Sequence, residues 1–420
     1  MAALAMVSAA SSAFAQTDTI KVGILHSLSG TMAISETTLK DTMLMLIDEQ
    51  NKKGGILGKK LEAVVVDPAS NWPLFAEKTR QLLSVDKVAA IFGCWTSVSR
   101  KSVLPVVEEL NGILFYPVQY EGEESSKNVF YTGAAPNQQA IPAVDYLMAN
   151  EKVQRWVLEG TDYVYPRTTN KILEAYLKAK GVKAEDIQVN YTPFGQSDWQ
   201  TRVAAIKKFG SAGKKTAVVS TINGDANVPF YKELGNQGIK AEDIPVVAFS
   251  VGEEELAGVD TKPLVGHLAA WNYFESVKSP ANSEFIAKWK AFTKNPKRVS
   301  NDPMEATFIG FNMWVKAVQK AGSTDTNKVI AALPGTTAPN LTGGTSTMLP
   351  NHHITKPVYI GEIQADGQFD VVWQTKGLVA GDAWSDFLPG SKDLTSDWVK
   401  LNCGNYNTKT KACLGLKAMH

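Results

Sequence analysis

Two doubly wound α/β lobes joined by a hinge that the chain crosses more than once: this is the fold class the sequence predicts, on three observations. The chain has 420 residues, more than one small core organises. From Thr19 onward, apolar strand-like runs alternate with amphipathic helical stretches, and the alternation starts afresh partway along. Further helices and a hairpin then follow, too few to build a third domain.

In the first series, residues 20–25, 61–66, 88–92 and 113–118 read as strands, and 37–52, 73–83 and 99–110 as the helices between them. That order is βαβ, which gives a parallel sheet covered on both faces. The second series puts strands at 129–132, 156–159, 187–191, 217–221, 246–249 and 268–271. Its helices begin near Gln138, Thr168, Asp198 and Asn227. After Trp271, the helical segments 283–292 and 305–321 must pack on an existing sheet. Strands 358–364 and 368–373 form a hairpin turned by Asp366-Gly367. A chain that builds one lobe, then another, and returns with extra elements passes between them repeatedly, and several passes make a hinge.

Composition narrows the function. Hydrophobic residues make up 44% and charged residues 20%, with 43 Lys and Arg against 42 Asp and Glu. No field is set up for a nucleic acid or an anionic membrane surface, and a neutral partner suits the chain. The first fifteen residues carry no charge and end Ala13-Phe14-Ala15, the small-x-small pattern of a cleavable signal peptide before Gln16. Export is the expectation. The basic n-region of a complete signal is missing, so a longer precursor is expected. No cysteine follows the cleavage site to take a lipid, and no later apolar run reaches the roughly 18 residues of a membrane span.

Of the three cysteines, Cys403 and Cys413 lie close together in a polar tail. In an oxidising compartment that spacing suggests a disulfide, worth about 2–3 kcal/mol by loop entropy. Cys94 ends an apolar strand and reads as a small buried hydrophobe.

Ligands of such sheets bind outside the carboxyl ends of strands, where helix amides point outward. After Phe92 comes Gly93-Cys94-Trp95-Thr96-Ser97-Val98-Ser99-Arg100, an indole and several hydroxyls entering a helix. Ser97 can offer an O–H there, or serve only as a helix cap. Tyr116 and Gln119 follow the next strand, and Tyr163 and Tyr165 follow a strand of the second series. Tyrosines at strand ends can floor a site for a planar ligand, or simply pack. Glu253, Glu254 and Glu255 open another helix, where acidic residues also complement the dipole. Enzymatic patterns are absent. The five histidines, at 26, 267, 352, 353 and 420, lack metal-ligand spacing, and no GxSxG, P-loop or GxGxxG sequence occurs. His352-His353 reads as a solvated loop.

Four stretches carry a resemblance: GCWTSVSRKSVLPV, FYPVQYEGEESSKNVFYTGAAPNQQ, GTDYVYPRTTN and FSVGEEELAG. Over about residues 20–387 the sequence resembles the amide-binding branch of the type I periplasmic binding proteins, and within it the urea-binding subunits of urea ABC transporters. The resemblance implies two Rossmann-like lobes: residues 17–135 with 273–345, and residues 136–272 with 346–385, followed by a tail at 386–420. It implies a periplasmic, monomeric, non-enzymatic protein without cofactor or metal, which hands urea or a short amide to ABC permease subunits.

Carried over from a cytoplasmic amide sensor of the same branch, the ligand serine falls on Ser97, the ligand tyrosines on Tyr116, Tyr163 and Tyr165, and an aromatic on Trp95. The sensor's threonine and proline are here Val118 and Gln119, and Gln119 joins the candidate set. Glu253 matches an acidic position and becomes the candidate acceptor for ligand N–H groups. Urea has one carbonyl acceptor and four N–H donors, so Ser97 and helix amides would meet its oxygen while Glu253 and tyrosine oxygens meet its nitrogens. At a ceiling of about −1.5 kcal/mol per heavy atom, a four-atom ligand gains about −6 kcal/mol, or tens of micromolar, and tighter binding needs full enclosure. Two other readings share the cleft: a branched-chain amino acid binder, disfavoured by four large side chains, and an intracellular amide sensor, disfavoured by the signal peptide.

Overall fold

The computed structural model describes residues 18–397 and 403–413, so the expected signal peptide at residues 1–15 lies outside the described residues. The first lobe is built from β1 (Ile20–Leu25), α1 (Ala33–Lys52), β2 (Leu61–Val66), α2 (Trp72–Arg80), β3 (Ala90–Gly93), α3 (Ser97–Glu109), β4 (Leu114–Tyr116) and β5 (Val129–Tyr131). Its sheet runs β2-β1-β3-β4-β5 with every pair parallel. Residues of β3, β4 and β5 are all buried, because helices cover both faces. β5 closes the first sheet instead of starting the second. Its Phe130 ring stacks on Phe115 at 5.3 Å, and Tyr131 pairs in register with Tyr116.

The second lobe follows with α4 (Ala140–Ala149), β6 (Arg155–Thr161), α5 (Val164–Ala179), β7 (Ile187–Thr192), α6 (Gln200–Gly210), β8 (Thr216–Thr221), α7 (Asn227–Asn236), β9 (Val246–Ala248), α8 (Glu253–Leu256) and β10 (Leu268–Trp271). The chain then returns to the first lobe with α9 (Pro280–Thr293), α10 (Asp302–Ala321) and α11 (Thr326–Ala332). Phe285, Trp289, Trp314 and Val329 share one core with Val22 and Phe92. α10 starts cleanly because the Asn301 side chain accepts from the Met304 N–H with Pro303 in the first turn, and it stops at Gly322 with φ of 61°.

A short ladder, β11 (Thr337–Pro339) with β12 (Thr345–Thr347), leads to β13 (Thr355–Lys356). The hairpin β14 (Tyr359–Ile363) and β15 (Phe369–Gln374) turns at Gly367 with φ of 81° and adds two antiparallel strands to the second sheet. That sheet runs β15-β14-β10-β9-β8-β6-β7. Next, β16 (Val379–Ala380) pairs with β13, and a terminal sheet holds β17 (Leu394–Asp397), β18 (Cys403–Asn407) and β19 (Ala412–Cys413). Cys413 is disulfide-bonded; the side chain of Cys403, its expected partner, lies outside the described residues.

Among the described residues, three passes connect the lobes. Ala135 belongs to the first core and Ala140 to the second; Tyr273 to the first and Phe274 to the second. Met348 and Ile354 still fill the first core, so the third pass lies beyond residue 354 and not at the expected 345/346 boundary. A side chain from one pass ties the others. Asn272 Nδ2 donates to the carbonyls of Gln138 at 3.0 Å and Pro357 at 2.8 Å. Gly133 is required on the first pass, since a Cβ there would lie 2.1 Å from the Val118 carbonyl.

Lys356 on the third pass is buried and donates to the Thr132 carbonyl at 2.8 Å. It faces Asp302 and Glu305 of α10. Asp302 accepts the Asn272 N–H at 2.8 Å and Glu305 accepts the Leu341 N–H at 3.1 Å, while each leaves its other oxygen without a partner. Burial pushes Glu305 up to about 8 against the pull of Lys356, and burial likewise raises Asp302.

Candidate functional site

The carboxyl ends of β3 and β4 in one lobe face those of β6, β8 and β9 in the other, the position where doubly wound sheets bind ligands. β3 runs through Gly93 into Cys94, whose φ of 67° is unusual for a residue with a side chain and turns the chain sharply into α3. Thr96 caps that helix, accepting from the Ser99 N–H at 3.1 Å, which leaves Ser97 in the first turn.

Ser97 is not free. Its hydroxyl donates to Glu121 Oε2 and its oxygen accepts from Arg100 Nη1 at 3.1 Å. Arg100 continues to Glu121 Oε1 at 3.2 Å and, through Nε, to Glu124 Oε2 at 2.7 Å; Lys101 meets Glu124 Oε1 at 2.8 Å. The guanidinium lies 4.6 Å from the ring centres of both Tyr116 and Tyr120. Burial works against the charged Glu124, but Arg100 and Lys101 outweigh it and hold the carboxyl well below the usual range. Arg100 is itself desolvated, and Glu124 and Glu121 keep it charged.

The tyrosines converge on this network. Tyr116 donates to the Trp95 carbonyl, while Tyr163, in the N-cap position of α5, lies within electrostatic reach of Tyr116, Glu121 and Arg100 across the lobes. Tyr165 faces Gln119 and Ser250, yet its hydroxyl and Gln119 Oε1 are both buried without a well-formed hydrogen bond. Burial pushes Tyr116, Tyr163 and Tyr165 upward, so all three stay neutral. α5 begins at Val164, earlier than the Thr168 read from the sequence, which places Tyr165 on its first turn.

The two lobes meet at several polar points. Trp95 Nε1 donates to Asn223 Oδ1 at 3.2 Å, Gln119 Nε2 donates to Ser250, and Ser35 of α1 donates to Glu255 at 2.7 Å. Trp95, Ser97, Tyr116, Gln119, Tyr163 and Tyr165 are therefore brought together. Glu253 is not. Its Oε1 accepts the Glu275 N–H at 2.8 Å on the second pass, its charged neighbours are Glu275 and Glu255, and burial drives its carboxyl far up. Its Oε1 is thus engaged at the hinge, while its Oε2 is buried without a partner.

Sequence reasoning also missed Glu121, Glu124, Arg100, Asn223 and Ser250. Arg100 sits one helical turn from Ser97, and that spacing was the available signal for a buried cation needing carboxylates. His353 departs from expectation as well: it is buried, stacks on Tyr131 at 4.6 Å and is hydrogen-bonded to the Tyr120 hydroxyl, because the loop folds back over β5. Burial pushes it down to about 4. Among the described residues no group of three or more His, Cys, Asp or Glu could hold a metal ion, and no helix is long and apolar enough to cross a membrane.

Residues 20–390 match the model of the periplasmic binding protein domain. The Leu/Ile/Val-binding protein homolog 3 of Brucella melitensis is 24% identical over 342 residues, 78% of this chain and 85% of that protein. A 116-residue stretch is 33% identical to limonene hydroxylase of Geobacillus stearothermophilus, covering 28% of this chain and only 21% of that protein. Among solved structures, a solute-binding protein of an ABC transporter from Rhodopseudomonas palustris HaA2, in complex with p-hydroxybenzoic acid, superposes with a TM-score of 0.75 at 21% identity, over 86% of this chain and 98% of that one.

Proposed function

The chain belongs to the periplasmic binding protein family, non-enzymatic solute-binding proteins of ABC transporters with the type I fold, and from that premise we propose that its solute is urea or a short amide. One observation carries this reading: buried hydroxyls, a carboxamide and a charge-balanced ion network converge where the lobes meet, chemistry suited to a small polar molecule without net charge. Ser97, Tyr116 and Gln119 from one lobe and Tyr163 and Tyr165 from the other enclose it, and Trp95 locks the lobes over it through Asn223. First-turn amides of α3 take the ligand oxygen. Residues 1–15 direct export to the periplasm, and a permease recognises the form in which the lobes meet.

A second reading has a specific support: the similarity to a protein named for leucine, isoleucine and valine spans most of both chains. Titration calorimetry with urea, acetamide, formamide, leucine and 4-hydroxybenzoate separates the two. The amide reading expects heat from the first three alone, and a preference for leucine or the benzoate sinks it.

A further inference from the structure

We infer that Glu121 is the charge selector of the cleft: its carboxylate receives the N–H groups of the ligand and excludes an anionic ligand of the same shape. The inference rests on the amide reading and names the residue that enforces it.

Three observations lead here. Glu121 is 1% exposed and approaches the junction of the lobes, where its charge reaches Tyr163 and Tyr165 on the opposite side. Its oxygens touch Ser97 and Arg100, the residues at the mouth of α3, whereas Glu124 shares Arg100 but spends its oxygens also on Lys101 and Tyr131 and makes no bond to Ser97. Each carboxylate oxygen has a second lone pair, so both can accept from a ligand while keeping these contacts. Within reach of the Glu121 charge, Gln119 Oε1 and the Tyr165 hydroxyl are buried and face each other without a well-formed hydrogen bond, so a ligand amide can satisfy them better than they satisfy one another.

Charge balance then sets the selectivity. Arg100 and Lys101 are cancelled by Glu121 and Glu124, so a neutral ligand leaves the buried network neutral and an anion does not. Acetamide and acetate have the same heavy-atom shape and differ in two N–H donors and one charge. Glu121 distinguishes them on both counts: it accepts from the first and repels the second. Glu121→Gln keeps the side-chain shape and the acceptor for Ser97, removes the charge, and offers an NH2 where the amide nitrogen had been received.

The experiment is calorimetric titration of wild type, E121Q and E121D with acetamide and acetate, with thermal melting as the check of folding. Wild type is expected to prefer acetamide at least a hundredfold. E121Q is expected to lose at least tenfold in acetamide affinity and to acquire acetate binding, while E121D retains acetate exclusion. An E121Q protein that melts as wild type and keeps the wild-type acetamide-to-acetate ratio overturns the inference and leaves the amide reading intact. If E121Q does not fold, the wild-type ratio and E121D decide, and acetate binding to either overturns it. Wild type that binds no amide fails the amide reading itself, and the inference falls with it.

Discussion

Arg100 at the cleft floor and Lys356 in the hinge are both buried cations facing two carboxylates, yet their surroundings resolve the charge in opposite ways. Lys101 joins Arg100, so cations and carboxylates balance and Glu124 is driven down. Lys356 stands alone against Asp302 and Glu305, each with one oxygen unpartnered, and burial drives both carboxyls up. Matched partners thus outweigh burial at Glu124, and a single cation does not outweigh it at Asp302 and Glu305. In the cleft the shift of Glu124 favours the carboxylate; in the hinge the shifts of Asp302 and Glu305 favour the protonated carboxyl.

Arg100→Met breaks the balanced side most severely. It leaves Glu121 and Glu124 facing Lys101 alone, and guanidinium unfolding is expected to show a loss of about 3–5 kcal/mol. A loss under about 1 kcal/mol would mean that the network contributes little and the contrast with the hinge is unreal.

Glu305→Gln probes the unbalanced side through pH. A carboxyl raised in the folded state makes the protein bind more protons folded than unfolded, so its contribution is present below the ordinary carboxylate value and is lost as pH rises toward about 8. Wild-type stability should fall across that window, and E305Q should flatten the slope by on the order of 2 kcal/mol between pH 5 and 9. Equal slopes in the two proteins would remove Glu305 as the proton carrier.

Trp95→Phe keeps the ring and removes the donor to Asn223, at an expected cost of about 1 kcal/mol, read as a several-fold weaker ligand affinity. Tyr165→Phe deletes a hydroxyl with no well-formed partner, so the ligand-free protein should gain up to about 0.5 kcal/mol in melting experiments while ligand affinity drops. A Y165F protein that melts lower and binds unchanged would assign that hydroxyl to packing.

The same contrast explains what was legible in the sequence. Strands Ile20–Leu25 and Leu61–Val66 stand where their apolar runs placed them, the first almost wholly buried in the sheet and the second at its edge with only Leu61 and Val66 buried. The order of apolar runs puts Val129–Tyr131 with the second series, because an apolar strand does not announce which sheet it joins, whereas the lobe bounds implied by the resemblance, 17–135, include it in the first, where it pairs. Trp95, Ser97 and the tyrosines could be singled out because they sit at strand ends within the stretches that carry the family resemblance, and the fold brings them to the junction of the lobes. Glu121 and Glu124 were not, because a run of acidic residues after a strand reads as solvated, and their partner lies more than twenty positions away. Glu253 shows the converse: its place at a helix start was legible, but only the fold shows that its Oε1 accepts from the Glu275 N–H.

The three passes between the lobes also govern the order in which the chain can become solid. Val22 and Phe92 share their core with Trp314, Met348 and Ile354. The first lobe therefore cannot complete its interior while the ribosome still holds the final third of the chain, and the second waits for Ile363 and Phe369. An interleaved architecture of this kind delays compaction until synthesis is nearly finished, so neither lobe can fold as a unit ahead of the other.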